Sequence, residues 1–73
     1  MENIKYDYNQ FKDKSVQGIK EELTKGLIKA SVFFYQSYGF PFEMFKDLIE
    51  KQSLLGQLNF YLNFRNKHPN IYD

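Results

Sequence analysis

The sequence contains no cysteine and no tryptophan, and it has a single histidine among its 73 residues. A chain without cysteine can form neither a disulfide nor a thiolate metal site, and this favours a reducing compartment. The histidine, His68, has Asn66 and Asn70 near it in the sequence, and these residues do not complete a zinc site. We therefore expect no metal and no cofactor.

The sequence also has no excess of charge of one sign and no long apolar run. Ten Lys and Arg residues stand against nine Asp and Glu, a formal net charge of +1. Nucleic-acid binders usually carry a basic stripe, so nucleic acid is the less expected partner. The longest nearly apolar stretch, residues 32–42, contains Gln36 and Ser37, and residues 1–14 do not read as a signal peptide. We expect no membrane span and a cytoplasmic location.

Residue patterns typical of catalysis are also lacking. There is no glycine-rich phosphate loop and no cysteine nucleophile. Glu43 and Asp47 are spaced i, i+4, but Lys46 and Lys51 beside them indicate a solvated helix face. We expect a protein that is not an enzyme and has no small-molecule substrate.

Aromatic residues are abundant, at 19% of the chain. The sequence between Ser15 and Gly39 has a helical pattern of apolar residues. Ser15 is a suitable N-cap, and Gly39 can supply the left-handed conformation that ends a helix. Gly18 and Gly26 either break this helix or let another helix approach closely. After Leu27 the helix becomes apolar around most of its circumference, which predicts burial in the fold or an oligomer interface. The apolar positions, separated by 3, 4, 4, 3 and 4 residues, are Val16, Ile19, Leu23, Leu27, Ala30 and Phe34.

Two further helices are predicted after a Gly-Phe-Pro corner. Residues 41–52 form the second, with Pro41 in its first turn, and Ser53 caps the third, which Pro69 ends near His68. The buried side of the second helix is predicted to contain Phe42, Phe45, Leu48 and Ile49. The apolar stripe of the third is predicted to contain Leu54, Leu55, Leu58, Tyr61 and Leu62, with Phe60 and Phe64 on its flank.

The predicted fold is all-α: a small three-helix domain over residues 15–68 with a long first helix. Residues 1–14 are predicted to be a flexible N-terminal arm, and residues 69–73 a loose C-terminal tail. An alternative for the arm is that Tyr6, Tyr8 and Phe11 dock on the helices or on a partner.

The corner resembles a segment of bacterial-type alanyl-tRNA synthetases. The stretch YQSYGFPFEMFKDLIEKQ, residues 35–52, is similar to that family's Tyr-Gly-Phe-Pro region, and FYLNFRNKH and EELTKGL are similar to flanking helices. The family has Asp at the position of Gln36 and Thr at that of Phe45, and its catalytic core and editing domain have no counterpart here. The resemblance implies a detached piece of the helical region that accompanies tRNA recognition.

Two functions follow as hypotheses. The first is a small non-enzymatic helical module for protein–protein interaction, either a homo-oligomer or an inhibitor or adaptor that regulates a larger protein. The alternative is a tRNA- or RNA-binding accessory module. A third interpretation is that every ring belongs to the core of an autonomous fold. The predicted partner-binding residues are Phe33, Tyr35, Tyr38, Phe40 and Phe42. The cations of the RNA alternative are Lys25, Lys29, Lys46, Arg65 and Lys67.

Overall fold

The computed structural model describes residues 7–72, and over that range the protein is all-α. A short 3-10 helix, Tyr8–Phe11, precedes four α-helices. These are α1 (Val16–Tyr38), α2 (Phe42–Glu50), α3 (Leu54–Lys67) and the single-turn α4 (Pro69–Tyr72). The prediction of an all-α domain with a long first helix is confirmed.

Both ends of α1 have the caps that the sequence predicts. The Ser15 hydroxyl accepts a hydrogen bond from the Gly18 amide at 3.1 Å, which satisfies one of the free donors of the first turn. Gly39 follows the last turn with φ 67°, and its amide donates to the Tyr35 carbonyl at 2.9 Å. The chain therefore leaves α1 through the left-handed conformation that glycine adopts without strain.

α1 is the central helix, and it packs against α2, α3 and α4. The described chain is flat, with extents of 34 × 31 × 15 Å. Its thin dimension is about half of either long one, so the core is a thin layer. The buried core residues are Phe11, Leu23, Leu27, Ala30, Phe45, Leu58, Tyr61, Leu62 and Phe64.

α1 and α3 cross at Gly26. A β-carbon built on Gly26 would overlap the Tyr61 ring, lying 2.6 Å from Cδ1 and 2.9 Å from Cζ. Tyr61 itself is only 1% exposed. Of the two roles predicted for Gly26, close approach of another helix is the one observed, because α1 is continuous through this position.

The N-terminal arm is folded from Asp7 onward. Asp7 caps the 3-10 helix by accepting from the Asn9 amide at 2.9 Å, and Phe11 is buried with its ring against Tyr61. The Tyr8 hydroxyl donates to Asn59 Oδ1 on α3 at 3.3 Å. For residues 7–14 the docked interpretation therefore replaces the frayed one, while Tyr6 lies outside the described residues.

The prediction of a loose tail is wrong for residues 69–72. They form α4, and the Tyr72 hydroxyl donates a 2.7 Å hydrogen bond to the Gly26 carbonyl. The Tyr72 ring also meets the edges of Tyr61 and Phe64. Pro69 does end α3, but it then begins a new turn, and the aromatic ring at its end gives the tail apolar surface to bury.

The predicted faces of α2 and α3 are partly wrong. Phe45 is buried and Ile49, one turn later, packs against the core, yet Phe42 and Leu48 are each 51% exposed, so the buried face of this nine-residue helix is narrower than predicted. On α3, Leu58, Tyr61 and Leu62 are buried as predicted, but Leu55 is 65% exposed and Phe64 replaces it in the core. Leu54, at 37%, is also exposed.

Candidate interaction site

Three exposed rings stand on the two sides of Gly39. Tyr35 and Tyr38, in the last turn of α1, are 61% and 73% exposed, and Phe42, at the start of α2, is 51% exposed. We call these three residues, with Gly39, the aromatic corner. Pro41 lies between them with extended backbone and no side-chain cap, so the rings project from a turn held by backbone geometry.

Two of the five predicted partner-binding residues are more involved in the core than predicted. Phe33 and Phe40 are half-buried and pack against the hydrophobic core. The Phe33 ring lies edge-on to Phe64 at 5.5 Å between centroids and 4.6 Å from the His68 ring. Phe33 and Phe40 therefore form the base of the aromatic corner, while Tyr35, Tyr38 and Phe42 are its accessible part.

Phe42, which was predicted both on the buried side of the second helix and among the partner-binding residues, lines a groove between α1 and α2. The groove has a volume of about 330 Å³, and Leu27, Ile28, Phe45 and Ile49 line it beside Phe42. Lys46 and Glu50 are also in its lining, so both signs of charge are present. A partner could therefore make apolar contacts in the groove and ion pairs with Lys46 or Glu50.

Ile28 and Val32 add exposed apolar surface to the site. The sequence indicated their apolar character but not their exposure. The apolar circumference of α1 predicts that this end is buried, yet Ile28 is 51% and Val32 is 48% exposed in the single chain. Together with Tyr35 they follow the spacing i, i+4, i+7, which aligns them on one face of the helix. This end of the helix was predicted to lie either in the interior of the fold or in an oligomer interface. The prediction of the interior is wrong for Ile28 and Val32.

A second, larger concavity lies between α2 and α3. Its volume is about 1030 Å³. Rings of Phe33, Phe34, Phe60 and Phe64 line it, together with the side chains of Asn59, Asn63 and Gln52. Tyr38 is in this lining and Phe42 is in that of the groove, so the aromatic corner contributes a ring to each concavity.

The five cations of the RNA alternative differ in their surroundings. Arg65 is half-buried between rings, donating to the Tyr61 hydroxyl and lying 4.8 Å from the centre of the Tyr72 ring. Lys29 also lies over Tyr72, at 5.5 Å. Lys46 and Lys67 line different concavities, and Lys25 is exposed on α1. Arg65 thus has an internal role that sequence reasoning missed.

The residues around Arg65 form a tyrosine cluster, which we define as Gly26, Tyr61, Arg65 and Tyr72. Burial raises the pKa of Tyr72 to about 12, with the nearby Tyr61 adding to the effect and Arg65 opposing it. Burial also raises the pKa of Tyr61, against the lowering effect of Arg65. The Tyr61 hydroxyl donates to Glu22 Oε2 at 3.4 Å, and Glu22 in turn pairs with Lys14. These contacts fix the tail to α1 and bury the two hydroxyl groups, and this burial is the main cause of both raised pKa values.

Two other kinds of site are absent from the described part of the chain. Among residues 7–72, no three His, Asp or Glu side chains are grouped so that they could hold a metal ion. No helix within the same range has both the length and the apolar character to cross a membrane.

Comparison with known proteins returned no match: no protein-family model, no curated protein and no solved structure is similar to this chain. The resemblance to alanyl-tRNA synthetases at residues 35–52 therefore stays a prediction.

Proposed function

We propose that the chain is a small non-enzymatic module for protein–protein interaction that binds through the aromatic corner. It acts as a homo-oligomer or as an inhibitor or adaptor of a larger protein, in the reducing environment that the absence of cysteine favours. The observation that carries this proposal is the exposure of Tyr35, Tyr38 and Phe42 around one glycine turn. Tyr and Phe are enriched at the buried centres of interfaces, where large rings contribute most of the contact energy.

The setting of these rings supports the proposal further. Phe34 stacks on Tyr38 with centroids 5.9 Å apart and on Phe45 at 5.8 Å. Tyr38, the most exposed of the three rings, thus stands on a packed base, so little of its side-chain freedom is lost when a partner covers it. An exposed Met44, at 53%, extends the apolar surface along α2.

Affinity capture from cells of the source organism tests the proposal. The tagged chain is compared with a Tyr38→Ala, Phe42→Ala double variant, and with a Val16→Ala, Leu55→Ala variant that removes apolar groups exposed elsewhere. We expect a protein partner to be retained by the chain and by the control but lost from the corner variant. Retention should persist at about 0.5 M salt, because contacts between apolar rings are little screened.

RNA in place of protein among the retained material would contradict the proposal. RNA held through phosphate contacts should be released as the salt concentration rises. Equal retention of a protein by all three variants would show that the aromatic corner is not the binding surface.

A further inference from the structure

The outer face of α1 has a feature that the aromatic corner alone does not explain. Lys25, Ile28, Val32 and Tyr35 are separated by 3, 4 and 3 residues, a pattern that reads the same in both directions about position 30. All four are exposed, the three apolar ones at 51%, 48% and 61%. Spacings of three and four residues place them along one stripe of the helix.

We propose that two copies of this chain pair through this stripe, with their α1 helices antiparallel and related by a two-fold axis at position 30. The inference rests on the proposed function and names its partner as a second copy of the chain. In this register Ile28 of each copy packs on Val32 of the other, and Lys25 lies opposite Tyr35. A symmetric interface must be complementary to itself, and the reversible spacing supplies that property.

The charges of the stripe favour the antiparallel arrangement over a parallel one. Antiparallel pairing brings each Lys25 over a Tyr35 ring, a favourable cation–π contact. It also brings Lys25 toward the C-terminal end of the other α1, which carries a partial negative charge. In a parallel pair, Lys25 would meet Lys25 and the two positive charges would repel.

The groove beside the stripe is consistent with the same pairing. A two-fold axis that makes the α1 helices antiparallel keeps α2 on the same side in both copies. Phe42 and Ile28 line one groove, so Phe42 lies beside the stripe, and Lys46 and Glu50 are in the same groove lining. Tyr35 belongs to both the stripe and the aromatic corner, so the two surfaces adjoin each other on α1.

The available area sets the strength of this dimer. A stable interface buries about 800 Å² on each partner, and three half-exposed side chains with a lysine stem supply a smaller area. We therefore expect a reversible dimer with a Kd on the order of 100 µM. Sedimentation should show the mass rise from monomer to dimer with concentration.

Cross-linking tests the register, because the natural sequence has no cysteine to interfere. An Ile28→Cys chain and a Val32→Cys chain, distinguished by mass, are mixed and oxidised mildly. We expect the mixed disulfide to form at least about tenfold faster than the disulfide of either chain with itself, since disulfides require Cα atoms within about 7 Å. An Asn63→Cys chain, exposed on α3, gives the background rate. Faster linkage of Ile28→Cys with itself would indicate a parallel pair and overturn the inference.

A second variant separates pairing from folding. Val32→Asp should keep the helical circular dichroism of the parent and remain a monomer at every concentration, whereas Asn63→Asp should dimerise as the parent does. A parent that stays monomeric at about 1 mM, ten times the expected Kd, overturns the dimer. The capture experiment then still decides the proposed function, because a different protein partner lost from the corner variant would uphold it without the dimer.

Discussion

Two aromatic regions of this small protein differ in what holds their rings. In the tyrosine cluster each ring carries a hydroxyl that bonds across elements, as Tyr72 does to the Gly26 carbonyl at 2.7 Å and Tyr61 to Glu22. In the aromatic corner, Tyr35 and Tyr38 are more than half exposed. The abundant aromatic residues therefore fall into two groups. One group of rings closes the fold, and the other leaves apolar surface exposed for contact.

The largest expected effect comes from adding one methyl group in the tyrosine cluster. Gly26→Ala places a β-carbon inside the Tyr61 ring, which is 1% exposed and tied to Arg65. We expect a loss of about 3 kcal/mol or more in the free energy of unfolding, because a packed ring cannot move aside. Urea denaturation followed by circular dichroism measures the loss.

Gly18→Ala is the matched control for that change. Its β-carbon would meet only the Ser15 Oγ at 3.4 Å and the Lys14 Cβ at 3.9 Å. We expect unchanged or higher stability, by up to about 1 kcal/mol, from the better helix propensity of alanine. Equal losses in the two variants would contradict the close crossing at Gly26.

The next prediction compares the stability cost of removing a core ring and a corner ring from the same helix, α2. Phe45→Ala removes a side chain that is 7% exposed, and we expect a cost of about 3–4 kcal/mol. Phe42→Ala removes one that is 51% exposed, and we expect a cost of about 1 kcal/mol. Thermal and urea unfolding of both variants gives the difference, and similar costs would mean that Phe42 belongs to the core after all.

The smallest expected loss of stability tests how the tail is held, and it depends on pH. Tyr72→Phe removes the hydrogen bond to Gly26, and we expect a cost of about 1 kcal/mol at pH 7. In the parent, the pKa of Tyr72 rises from 10.0 to about 12 on folding, so its neutral form stabilises the fold. That stabilisation is complete below pH 10 and is lost as the pH rises from 10 toward 12.

The Tyr72→Phe variant should therefore lose stability less steeply than the parent across that alkaline range. Tyr38→Phe, which alters an exposed ring, should match the parent within about 0.5 kcal/mol at pH 7. Urea titrations at neutral and alkaline pH give both comparisons. A Tyr72→Phe variant as stable as the parent at pH 7 would show that the bond to Gly26 does not hold the tail.

Much of the fold could be predicted from local signals, and much of the site could not. Ser15, Gly39 and Ser53 act through their own backbone neighbours, so their positions predicted the helix ends well. The exposure of Phe42 could not be predicted in this way, because it depends on how a short helix packs on α1. Phe64 and Leu55 show the same limit, since a helix with apolar groups on more than half its surface does not specify which side is covered.

The three longer helices, the caps at Ser15, Gly39 and Ser53, and the corner follow from the local sequence, because they depend on side chains within a few residues of one another. The sequence also determined that apolar surface would be in excess of what so short a chain can bury. Only the tertiary structure decided which rings are left exposed, why Gly26 must lack a side chain, and that the tail is held through Tyr72. These outcomes depend on the crossing of α1 with α3 and α4, which brings together residues far apart in the chain.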